Sequence, residues 1–129
     1  LLRLYHYTEQ EEYQQRAEAV LQHYAGHIRT HPFGFATMLC AADYTIRSPK
    51  EIAVVGDVHS DETRTLIQQL QQQYIPNRTL SVVAPDNTEQ LPAALRDKTQ
   101  HDGRPTVYVC HQRTCSPPAT TWEEIRTLL

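Results

Sequence analysis

The sequence has 129 residues, 40% of them hydrophobic, with a formal net charge of −3 and a mean hydropathy of −0.57. That is one domain's worth of chain, with enough apolar side chains for one core. No apolar run approaches the roughly 18 residues of a membrane span, no basic excess suits phosphate neutralisation, and the charge is too balanced for a disordered acidic tail.

The chain opens at Leu1 without Met, and Leu1, Leu2, Leu4 and Tyr5 read as the end of an amphipathic helix whose start is missing, so a cut N-terminus is expected. Nothing at this end has the basic region and continuous apolar stretch of a signal peptide. Thr8, with Glu11 three residues on, has the spacing of a capping box. Beyond it Tyr13, Ala17, Val20, Leu21, Tyr24, Ala25 and Ile28 recur at helical spacing, which predicts a helix of about five turns ended by His31-Pro32. Pro32 then opens a second helix with an apolar stripe of Phe35, Met38, Leu39, Ala42 and Ile46, stopped at Ser48-Pro49. Two helices with almost no connector predict an antiparallel αα-hairpin over residues 1–48.

From Glu51 the pattern changes. Ile52-Ala-Val-Val55 is a continuous apolar run closed by Gly56-Asp57, as in a strand buried on both faces. Ser60 is placed to cap a helix through Leu66, Ile67, Leu70 and Tyr74. Leu80–Ala84 is a second strand, followed by a turn at Pro85-Asp86-Asn87 and a short helix around Leu91, Ala94 and Leu95. His101-Asp102-Gly103 is a further turn and Thr106–Cys110 a third strand. Thr120 or Thr121 caps a last helix carrying Trp122, Ile125, Leu128 and Leu129. Strands alternating with helices predict, for residues 49–129, a small α/β domain: a three-stranded, mainly parallel sheet in βαβαβα order.

Three groups of residues have the types that carry chemistry. Gly56, Asp57 and Ser60 sit between a strand end and a helix start, where open α/β sheets gather ligands. The turn lacks the three glycines of a dinucleotide fingerprint and the Gly-Lys-Ser/Thr of a P-loop, and Asp57 and Asp61 repel phosphate, so a plainly capped turn stands beside a ligand site. Cys110 and Cys115, with four residues between them just past a strand, are a candidate redox pair if the loop brings their Cα atoms within about 7 Å; otherwise Cys110 is a small core residue and Cys115 a loop thiol. Arg113 or a protonated His111 would lower a thiol pKa. The spacing is not that of a thioredoxin motif or of a zinc site. His23, His27 and His31 recur every fourth residue, but without a firm third ligand no metal is expected. No catalytic residue and no cofactor is assigned, and an odd cysteine count suits a reducing, cytoplasmic location.

The ordered set His31-Pro32-x-Gly34, Val-Val-Gly56-Asp57, Tyr74-x-Pro76-Asn77 and Tyr108-Val-Cys110-x4-Cys115-x-x-Pro118 resembles the C-terminal region of the YyaL-like, spermatogenesis-associated thioredoxin-domain family. The resemblance covers nearly the whole chain. It implies a longer parent protein with an N-terminal thioredoxin-like domain and an α/α toroid similar to six-hairpin glycosidases and sugar epimerases. Residues 1–48 would correspond to the last hairpin of that toroid. On this basis the chain is expected to be a non-catalytic structural or interaction module whose partners are the other domains of its own chain. Self-association is expected when it stands alone. The alternatives are a thiol-redox element using Cys110 and Cys115, or an accessory domain of a carbohydrate-processing protein.

Overall fold

In a computed structural model, residues 1–86 and 91–129 are described. The chain divides into two compact units, Leu1–Pro49 and Lys50–Leu129.

The first unit is helical: α1 (Leu2–Thr8), α2 (Glu11–Thr30), a 3-10 turn (Pro32–Phe35) and α3 (Ala36–Arg47). Thr8 ends α1 rather than capping α2. Glu9 adopts a left-handed conformation with φ 59° and its N–H bonds the Tyr5 carbonyl, while the Thr8 hydroxyl donates back to the Leu4 carbonyl at 2.8 Å. That helix-ending arrangement takes the side chain that a capping box would need, and Gln10 becomes the residue before α2. Pro32 opens the 3-10 turn. Phe35 folds back on α2, its ring 6.0 Å from Tyr24 and 6.3 Å from His27. Tyr44, absent from the expected stripe of α3, is buried, with the His6 ring 5.6 Å away. Ile46, expected in that stripe, is 81% exposed.

The second unit is built on β1 (Lys50–Val55), α4 (Asp61–Gln72), β2 (Arg78–Val83), α5 (Ala93–Arg96), β3 (Thr106–His111), β4 (Thr114–Cys115) and α6 (Trp122–Leu128). Among the described residues its sheet has four strands in the order β2-β1-β3-β4. Only β1 and β2 are parallel; β1 with β3, and β3 with β4, are antiparallel. The three-stranded, mainly parallel sheet is therefore corrected. The physical reason lies between β2 and β3. Val55, the last residue of β1, pairs with Val83 at the end of β2 and with Thr106 at the start of β3. The chain thus enters β3 at the end of the sheet where β2 leaves it, and an antiparallel return of this kind needs no crossover. The expected turn at Pro85-Asp86-Asn87 reaches Asn87, which lies outside the described residues.

Alternation along the strands separates two faces. Ile52, Val54, Val107 and Val109 pack with Leu66 and Leu70 of α4 and with Ala119 and Ile125 as the main core. Ala53, Val55 and Tyr108 form a smaller cluster on the other face, joined by Leu95. β1 is buried on both faces, as its unbroken apolar run predicts. Arg78 ties the end of α4 to the start of β2, donating to the Leu70 carbonyl at 2.7 Å and that of Gln73 at 3.2 Å. Tyr74, expected on the apolar stripe, lies past the end of α4 and is 92% exposed. Among the described residues no helix is long and apolar enough to cross a membrane.

Candidate functional site

The strand-to-helix turn after β1 is held by its own polar groups. The Asp57 carboxylate accepts the His59 N–H at 2.9 Å. The Ser60 hydroxyl accepts the Thr63 N–H at 3.1 Å and donates to the Thr63 hydroxyl at 2.8 Å. Thr63 is fully buried. Gly56 is required by close approach: a Cβ there would lie 2.7 Å from the Thr63 hydroxyl oxygen and 3.3 Å from Pro105 Cβ. Gly56, Asp57 and Ser60 are thus brought together, and the last two act on the turn and on the start of α4. Arg64 adds a bond to the His59 carbonyl at 2.7 Å and a contact to Asp61 at 3.1 Å.

Cys110 and Cys115 face each other in register across β3 and β4 and are joined by a disulfide, with Cα atoms 3.9 Å apart. Ser116 N–H bonds the Val109 carbonyl at 2.9 Å on one side of the pair. The cysteines therefore occupy a non-hydrogen-bonded position, where antiparallel strands bring side chains closest. Cys110 is 6% exposed, whereas Cys115 and residues 111–114 are exposed. The loop of the sequence reading is a hairpin with a two-residue turn, in which Gln112 and Arg113 have φ 49° and 66°. The remaining thiol, Cys40, is free and exposed.

The three histidines do not gather into one site. His23 and His27 take part in an aromatic cluster around Tyr24, at ring distances of 4.9 and 6.1 Å, and His31 meets the Thr30 hydroxyl at 3.0 Å. Among the described residues no group of three or more His, Cys, Asp or Glu has metal-binding geometry.

A polar group missed by the sequence reading lies on the second sheet face. The Tyr108 hydroxyl donates to the Thr99 carbonyl at 2.9 Å and lies 3.1 Å from His101 Nε2. The Lys98 ammonium sits 5.7 Å from the centre of the Tyr108 ring. Burial lowers the Lys98 pKa, and the charges of Glu51 and Asp97 oppose that shift. A tyrosine alternating with valines in the third strand is the sequence signal for this face, but its partners come from the irregular segment before β3.

No protein-family model and no solved structure matches the chain. In an alignment of 133 positions that covers 100% of this chain, it is 29% identical to spermatogenesis-associated protein 20 of Homo sapiens and to that of Rattus norvegicus, covering 17% of each. It is also 29% identical over 130 residues to an uncharacterized protein of Caenorhabditis elegans, covering 99% of the chain and 18% of that protein. The chain therefore spans about a sixth of the length of these curated relatives and is distantly homologous to a portion of a larger protein.

Proposed function

We propose that these residues are a non-catalytic, C-terminal structural and interaction module of a larger, cytoplasmic protein, and that the first unit docks onto other parts of the same chain. The carrying observation is the outside of the helices. Leu1, Leu4 and Tyr7 of the first helical stretch, Val20 and Tyr24 of α2, Phe33, and Leu39 and Ile46 of α3 are all exposed, while Ala17 and Tyr44 are the buried hydrophobics of helices α1–α3. Within each helix these exposed residues recur at three, four or seven, the spacing of one face. Large apolar side chains left outside in this number suit an interaction surface. The relatives' greater length offers the partner, and the resemblance suggests a toroid and a thioredoxin-like domain for that role.

The test is binding in trans between this chain and the remainder of its parent protein, expressed separately. Docking predicts association that weakens about tenfold or more, a loss of about 1.4 kcal/mol, when Val20 and Leu39 are both changed to Glu. Absence of association, or association indifferent to these changes, contradicts the proposal.

A further inference from the structure

Three features set the disulfide hairpin apart from the rest of the sheet. First, its two cysteines are unequally placed: as residues, Cys115 is exposed and Cys110 is 6% exposed. Second, the turn that closes it has no glycine or asparagine, although both central residues have positive φ. A two-residue hairpin turn with this backbone favours Asn-Gly, because other residues meet a steric cost there. Gln112 and Arg113 therefore work against closure. Third, the bond spans a sequence separation of 5, so it constrains little of the unfolded chain, an effect that grows with loop length.

The rest of the strand does not depend on the tip. β3 stays paired with β1. Beyond the tip, Val107 and Ala119 exchange both backbone hydrogen bonds at 2.8 and 3.0 Å, and Ser116 bonds Val109. Breaking the disulfide thus frees a two-residue strand and a strained turn, while the core around Val107, Val109 and Ile125 keeps its contacts.

We propose that the Cys110–Cys115 hairpin is a thiol–disulfide exchange site, with Cys115 as the sulfur attacked by a small thiol and Cys110 as the leaving sulfur, and that its tip opens on reduction. A thiolate attacks Cys115 Sγ; the new sulfur–sulfur bond forms as the Cys110–Cys115 bond breaks, and Cys110 takes up the proton the thiol gave up. A second thiol attacks the mixed disulfide, releasing Cys115 as a thiol and the small molecule as its own disulfide. Two thiols thereby supply the two electrons and two protons gained by the protein.

The test uses the chain with Cys40→Ser, so that only the pair reports, in buffers of reduced and oxidised glutathione. Exchange predicts two new thiols per chain in one two-electron transition, with far-UV circular dichroism unchanged. In single-cysteine variants, Cys110→Ser takes up glutathione at Cys115 about tenfold or more faster than Cys115→Ser does at Cys110. Replacing the turn by Gln112→Asn with Arg113→Gly relaxes the closed form and shifts the equilibrium about tenfold, or about 30 mV, toward the disulfide. Thiols that appear only when the chain is unfolded, equal labelling of the two cysteines, or a turn replacement without effect would each overturn the proposal.

Discussion

Gly56 shows how a single residue joins the two elements that flank it. The sequence marks it as the end of a buried strand, and the structure adds that α4 comes too close for a Cβ. Gly56→Ala forces the Thr63 hydroxyl or Pro105 to move and is expected to destabilise the chain by about 1–3 kcal/mol, the usual range for overpacking. Adding Thr63→Ala removes the nearer of the two clashing atoms, so urea denaturation of the double variant should show less than the sum of the single effects. Lys98 makes the opposite case. Its folded-state pKa is lowered by burial, so its charged form is disfavoured by folding, and that cost is relieved as pH rises through the lowered value. Lys98→Met is therefore expected to raise the melting temperature at neutral pH, with a gain that shrinks in alkaline buffer. A lower melting temperature at neutral pH would show that the ammonium's contacts, with the Tyr108 ring and the Ala94 carbonyl, outweigh its desolvation.

Helix ends were legible where a side chain is committed to a cap. Ser60 caps α4 as its place predicts, and of the two candidates for α6, Thr120 and Thr121, it is Thr121 that caps the helix, in a reciprocal box with Glu124. Thr8 has the same spacing and does not form a box, because a left-handed residue at Glu9 turns it into the end of α1. Strand direction was not legible. Periodicity identifies β1, β2 and β3 but carries no sign of direction, which lies in the pairing of Thr106 with Val55. β4 escaped for a related reason, since two exposed residues have no period. The candidate pair at Cys110 and Cys115 was legible from its spacing, whereas the hairpin that aligns it rests on positive φ at Gln112 and Arg113, two residues that do not signal such a turn.

The α6 cap also gives a pH dependence. The Glu124 carboxylate accepts the Thr120 and Thr121 N–H groups at 3.1 and 3.2 Å, which holds its pKa below the usual glutamate value, with the Thr121 hydroxyl adding to the same effect. Because the folded pKa is the lower one, the cap's contribution is full above the unfolded-state value and is lost as pH falls through the folded one. Urea midpoints measured at about pH 6 and about pH 3 should fall less for Glu124→Gln than for the native chain, since glutamine keeps an acceptor and does not titrate. Equal losses in the two proteins would assign the acid sensitivity elsewhere.

At the scale of the whole molecule, the two units place their apolar residues differently. The sheet unit encloses a core on its main face, while the helical unit leaves large side chains outside, from Leu1 to Ile46. A surface of that kind suits a part of a longer protein, and the chain's 17% share of its relatives has the same implication. The most direct measurement is light scattering of the isolated chain, in reducing buffer and over a roughly hundredfold concentration range, where mass action separates association from a fixed monomer. A docking surface without its partner predicts a molar mass that rises with concentration, and a return to the monomer when Val20 and Leu39 are changed to Glu. A native chain that keeps the monomer mass across the whole range would contradict it.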